Sequence, residues 1–202
     1  MITGLRKSIG ILLITFITIA CSNGPPANDP DFTGPRPEIS KDGYITITKK
    51  IVVAVSPEEF SKWMVETPLE NKMIGDANHS AVTGTKLLSE RWGEPGSRRQ
   101  VLMKDGHQSV DEILAIEPGA FQRYIVWGWT NIAGKFADYA IGEFTYTRIN
   151  SGTEVQWTYQ WHPHSLMTRI PLSWGLKDKW PVYMSKMLHH FAKSAEAAYR
   201  DP

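Results

Sequence analysis

The sequence predicts an α+β domain in which a long C-terminal helix covers an antiparallel β-sheet. Three observations carry that prediction. Between Trp180 and Arg200, Met184, Met187, Leu188, Phe191, Ala195 and Ala198 recur at helical spacing, with Lys186, His190, Lys193, Glu196 and Arg200 largely on the other side. Residues 97–130 read as three alternating strands punctuated by Asp105-Gly106 and Pro118-Gly119. Val155, Trp157, Tyr159 and Trp161 alternate without a break against Glu154, Gln156, Thr158 and Gln160.

The domain does not begin at residue 1. Residues 1–20 carry Arg6 and Lys7, then the apolar run Ile9–Ile19, then Ala20 before Cys21. A basic start, a short apolar core and a small residue at the cut describe a secretory signal. Thr18-Ile19-Ala20-Cys21 resembles the bacterial lipobox, which makes Cys21, the chain's single cysteine, the expected lipidated N-terminus. An ordinary cleaved signal and an uncleaved anchor are the alternatives. Residues 21–40 follow with Pro25, Pro26, Pro30, Pro35 and Pro37 and no apolar period, which predicts an extended tether. At ~3.1 Å per residue such a tether reaches roughly 60 Å. Residues 41–202 are then one domain, long enough for a substantial core.

Within it, Tyr44–Val55 is β-branched and alternating, a first strand. Ser56-Pro57-Glu58-Glu59 supplies an N-cap, a proline at the first helical position and a capping-box glutamate, so a helix follows and stops before Pro68. A short helix around Leu69–Ile74 and a strand over Thr85–Arg91 come next. Strands then run over Ser97–Lys104, His107–Ile116, Ala120–Thr130, Phe136–Ile149 and Thr153–His162, and an irregular stretch to Lys179 leads into the last helix. Two-residue turns at Asp105-Gly106 and Pro118-Gly119 would pair 99 with 112, 101 with 110, 112 with 125 and 110 with 127. That register collects Arg99, Val101, Met103, Val110, Glu112, Leu114, Ile116, Phe121, Ile125, Trp127 and Trp129 on the buried face.

The order of elements resembles the polyketide cyclase/dehydrase and lipid-transport superfamily (SRPBCC, START-like), which includes the birch-pollen-allergen proteins. The phrases Ser56-Pro57-Glu58-Glu59 and Gly96-Ser97-Arg98-Arg99, Asp105-Gly106 and Asp111-Glu112-Ile113-Leu114 carry the likeness, which spans about residues 44–200. The resemblance implies a helix-grip fold, a curved sheet wrapped round the last helix and enclosing an apolar cavity. It implies no shared catalytic set. Residues 168–179 do not follow the superfamily pattern.

The candidate ligand-binding residues are Arg99, Met103, Glu112, Ile125, Trp127, Trp129, Tyr146, Trp157, Tyr159, Trp161, Met184, Met187 and Phe191. The aromatic and methionine side chains read either as packed core or as cavity wall. Arg99 and Glu112 are expected as a pair on the apolar face, either satisfying each other or marking a polar end for a ligand's carboxylate or hydroxyl. His162, His164, His189 and His190 do not converge, so no metal and no cofactor is expected. There is no G-x-S-x-G, usable cysteine or phosphate-cradling loop. Without residues 1–20 the chain holds 20 basic and 21 acidic residues, a formal charge of −1 and no footprint for nucleic acid.

The expected function is therefore a membrane-tethered binding protein for a small hydrophobic or amphipathic ligand, a lipid or membrane-soluble metabolite. It would face the periplasm from the cell envelope, with Ser22 favouring the outer membrane. A cyclase, aromatase or dehydratase acting on a similar ligand is the enzymatic alternative. A ligand-free interaction lipoprotein with a filled core is the third.

Overall fold

A computed structural model describes residues 24–28 and 30–200. The expected signal segment 1–20 and Cys21 lie outside those residues. Seven antiparallel strands form one sheet: β1 (Ile45–Val53), β2 (Val82–Leu87), β3 (Arg98–Met103), β4 (Gln108–Glu117), β5 (Phe121–Trp127), β6 (Ala137–Ile149) and β7 (Gly152–Pro163), in the order β1-β7-β6-β5-β4-β3-β2. The strands from β2 to β7 are a continuous meander, and β1 closes the edge beside β7. Helices α1 (Pro57–Glu66) and α2 (Leu69–Lys72) fill the connection from β1 to β2. The Ser56 and Glu59 side chains cap α1 reciprocally as the sequence predicts.

The final helix, α4 (Lys179–Ala198), lies on the sheet's inner face and buries Tyr183, Met184, Met187, Leu188, Phe191, Ala192 and Ala195. Ala198, expected in the stripe, is exposed. The stripe meets Phe60, Trp63 and Met64 of α1 and the inward side chains of β6 and β7 in one core. Between β7 and α4 stands α3 (Leu166–Lys177), where the sequence predicts irregular chain. Pro171 and Gly175 read as breakers there. Ser165 nevertheless caps it, its Oγ accepting from the Thr168 amide, and Pro171 removes only one internal hydrogen bond.

The β3–β4 register differs from expectation by one residue. Arg99 stands opposite Asp111, and Arg98 opposite Glu112. The Gly106 amide donates to the Met103 carbonyl and the Met103 amide to the His107 carbonyl, leaving Lys104-Asp105-Gly106 as a three-residue loop. Gly106 sits at φ +81° while Asp105 keeps a negative φ, the arrangement of a type I turn ending in a left-handed glycine. A two-residue turn would need positive φ at both central residues. At the next hairpin the loop is also three residues, 118–120, but an irregularity between Ile113 and Ala115 restores the expected pairs Glu112–Ile125 and Val110–Trp127.

The slip separates the expected face into two. Arg99, Val101 and Met103 share the inner face with Ser109 and Asp111. Val110, Glu112, Ile125 and Trp127 belong to the outer face, where Ile125 and Trp127 join Tyr139 and Ile141 in a second cluster. Residues 32–40 run along that cluster rather than forming a free tether. Phe32 and Ile39 pack on it, Arg98 donates to the Gly34 carbonyl at 2.7 Å, and the Ser40 amide donates to the Tyr139 hydroxyl at 2.7 Å. Apolar outward side chains on the central strands explain the strap: left bare, they would present an exposed hydrophobic surface.

Phe191 is 1% exposed between Trp63, Phe144 and Trp157. Phe191→Ala should cost ~3–5 kcal/mol, read from urea unfolding. A loss below ~1 kcal/mol would mean that α4's stripe does not hold the core.

Candidate functional site

The inner face is filled under α1 and the C-terminal half of α4, but not under α3. There a cavity of about 630 Å³ opens between the sheet, α3 and the start of α4. That is within the range of small-molecule sites. Its apolar wall is an aromatic lattice. Trp161 stacks on Trp129 with centroids 5.1 Å apart, Trp180 lies 5.0 Å from Tyr159 and 5.1 Å from Trp161, and Trp157 stacks on Phe144 at 5.1 Å. The buried indole nitrogens of Trp161 and Trp180 have no acceptor among the described residues.

Tyr124 crosses the wall because Gly142, its partner on β6, leaves the space. A Cβ at Gly142 would stand 2.1 Å from the ring's Cζ. The Tyr124 hydroxyl accepts from the Trp157 indole at 3.2 Å. Burial pushes that phenol far above its ordinary range, so it stays protonated.

The cavity's polar lining is a buried charge cluster. Arg99 donates to Asp111 Oδ2 from Nη2 at 3.1 Å and from Nε at 3.3 Å, and its guanidinium lies 3.6 Å from the Trp92 ring. Lys72, from α2, lines the same cavity at 2% exposure and donates to the Met64 carbonyl. Burial, then the charge of Arg99, pushes the Lys72 amine down to about 7. Burial pushes the Asp111 carboxyl up, and Arg99 and Lys72 pull it back. Two basic side chains, Arg99 and Lys72, thus line the same cavity as the carboxylate of Asp111.

Among the thirteen expected residues, Arg99, Met103, Trp129, Trp157, Tyr159, Trp161 and Phe191 line the cavity. Glu112, Ile125 and Trp127 do not, because of the register slip. Glu112 pairs with Arg98 at 2.7 Å and Arg36 at 3.1 Å on the outer face. Trp127 and Trp129 part company because Gly128, at φ +66°, breaks the alternation between them. Tyr146 packs against Phe60, and Met184 and Met187 are fully buried beneath α4 without reaching the cavity. Sequence reasoning missed Lys72, Trp92, Asp111, Tyr124 and Trp180. Asp111 and Tyr124 follow from the corrected register, whereas a lone lysine in a four-residue helix carried no signal. His162 and His164 both contact Asp138, and no group of three potential ligands converges on a metal position among the described residues.

No family profile and no curated protein matches the sequence. Solved structures do match in shape. A norcoclaurine synthase from Thalictrum, a point mutant solved in complex with a transition-state analogue, gives a TM-score of 0.57 at 12% identity over 80% of this chain and 99% of its own. The major latex-like protein 151 of Panax ginseng gives 0.56 at 15% identity over 78% and 99%. Ara h 8.0201 gives 0.55 at 13% identity over 77% and 99%. The fold these structures share with the chain is the helix-grip fold, a curved antiparallel sheet with a long C-terminal helix. At these identities the likeness extends to the fold alone, and in this helix-grip domain the cavity must be read from its own residues.

Two outcomes follow from the wall and the charge cluster. Gly142→Ala should displace the Tyr124 ring and cost ~1–3 kcal/mol in urea unfolding, with a shift in tryptophan emission as Trp157 loses its acceptor. Between about 7 and its unfolded value of 10.5, Lys72 binds fewer protons folded than unfolded, so it makes stability rise with pH across that window. Below about 7 the cost of burying its charge is present in full. Lys72→Met should therefore raise the urea midpoint most near pH 6 and flatten the climb toward pH 9; an unchanged climb would place its source elsewhere.

Proposed function

We propose that this protein binds one small amphipathic molecule, with an apolar body and an anionic head, and holds it beside a membrane through a lipidated Cys21. The observation that carries the reading is the 630 Å³ aromatic cavity whose buried lining includes Arg99, Asp111 and Lys72. The aromatic wall suits an aliphatic or ring-bearing body. A carboxylate or phosphate head would balance the second cation and let Lys72 keep its proton. A cavity of this size weighs against the filled-core interaction module. The tether reading rests on Thr18-Ile19-Ala20-Cys21 and the apolar run before it, and it places the domain in the cell envelope, on the outer membrane if Ser22 acts as the sorting residue.

One observation favours an enzymatic reading. A lysine whose amine is pushed down to about 7, in a cavity also lined by Asp111 and Tyr124, can serve as an acid or base on a bound molecule. A protein of similar fold, the norcoclaurine synthase, is solved with a transition-state analogue, which lends that reading support. Glu112 is no longer a candidate for that role.

Titration with a fluorescent polyene fatty acid tests the binding reading. Arg99→Ala should weaken it tenfold or more, about the value of a charge-assisted hydrogen bond. Unchanged affinity in a folded variant would remove Arg99 from the site. Turnover of a ligand recovered from the host, lost in Lys72→Met while binding persists, would move the assignment to an enzyme.

A further inference from the structure

Helix α3 turns large apolar side chains to solvent. Leu166 is 85% exposed, Met167 87%, Ile170 59% and Trp174 76%. Their spacing puts them on one helical face, opposite the buried Leu172 and Leu176. Val182, one turn into α4, adds a fifth at 65%. A soluble surface seldom gathers such residues without a partner.

The face borders the cavity mouth. The most exposed cavity-lining residues are Asn78, Asp105, Ile132, Pro171, Gly175 and Lys179, so Pro171 and Gly175 of α3 form part of the rim. Three contacts tie rim and lining segments to their neighbours. The Asp105 amide donates to Ser80 Oγ, Asn131 Nδ2 contacts Met103 Sδ, and the His164 amide, just before α3, donates to the Phe136 carbonyl.

The start of the described chain identifies what covers this face. Pro25 packs against Gly106, in the β3–β4 turn that supplies Asp105 to the rim. Cys21 lies four positions before Pro25, and four chain steps reach at most ~14 Å. A membrane holding Cys21 by its acyl chains would therefore lie close to the mouth, not at the end of a long tether.

We propose that the exposed face of α3 is a bilayer-docking surface that seats the cavity mouth on the membrane holding Cys21. The composition fits: Leu166, Met167 and Ile170 supply an apolar face, Trp174 suits the interfacial depth, and Lys177 and Lys179 follow at headgroup level on either side of Asp178. Docked this way, the mouth opens to lipid, and an amphipathic molecule passes between bilayer and cavity without crossing water. The inference rests on the tethered-binder reading for what enters the cavity.

The test uses the full chain in vesicles of phosphatidylethanolamine and phosphatidylglycerol, with the photoreactive residue p-benzoylphenylalanine at one position. Met167→p-benzoylphenylalanine should yield phospholipid adducts by mass spectrometry. Ser151→p-benzoylphenylalanine, in the β6–β7 turn, should yield none. Adducts at position 167 to a second copy of the chain or to residues 1–23, or no adduct there, would overturn the docking surface. A second variant, Ile170→Asp with Trp174→Asp, changes only exposed positions. It should bind the fatty-acid probe within twofold of wild type yet take it from vesicles at least tenfold more slowly. Equal transfer rates would overturn the proposal. If the Met167→p-benzoylphenylalanine variant gives lipid adducts but wild type binds no probe, the docking surface stands and the ligand reading fails.

Discussion

The φ of +81° at Gly106 decides which residues face the cavity. With Gly106 in the left-handed region the β3–β4 loop closes in three residues, and Asp111 falls beneath Arg99. A slip of one position would send Asp111 and Ser109 outward and bring Glu112 and Val110 inward, since side chains alternate strictly along a strand. The outer cluster would lose Val110 from beneath the strap, and Arg36 and Arg98 would lose Glu112. Both faces of the sheet therefore select the same register. The buried charge cluster exists because the strap and the helix layer agree on it.

The cavity survives for a related reason. An apolar interior normally collapses to close packing. Here the space under α4 is divided. From Met184 onward, Met184, Met187, Leu188 and Phe191 join α1 in the filled core; at its first turn, α3 and Trp180 cover the wall instead. The wall rings lean on one another: Trp129 on Trp161, Trp161 on Trp180, Trp180 on Tyr159, and Trp157 on Phe144. A ring held by its neighbours cannot swing into the void without losing those contacts, and such lattices pre-form a site.

Most of the architecture was legible because period and punctuation act locally. The Ser56 capping box, the alternation from Val155 to Trp161 and the stripe of α4 each announce themselves within a few residues. The site was less legible because it depends on counting across turns. Asp105-Gly106 fits a two-residue or a three-residue loop equally well as letters, and the choice moved Glu112, Ile125 and Trp127 to the other face. Gly128 did the same to Trp127 and Trp129. Helix α3 was hidden for another reason: its outward residues are apolar, so it lacks the polar face that reveals an amphipathic helix. Lys72 was invisible because burial of a single lysine is decided wholly by tertiary packing.

Residues 32–40 change what the N-terminal segment can do. As a free tether it would let the domain wander through a shell of roughly 60 Å, and every encounter with the membrane would require ordering the whole linker. Laid along the outer face, with Arg98 bonded to Gly34, Arg36 paired with Glu112 and Ser40 bonded to Tyr139, the segment is ordered when the domain folds. On the tethered reading, that removes most of the linker entropy from docking and fixes which end of the domain faces the anchor. Preorganisation of this kind favours one docked orientation over many. The orientation it selects is the one in which the apolar face of α3 and the mouth of the aromatic cavity meet the same surface.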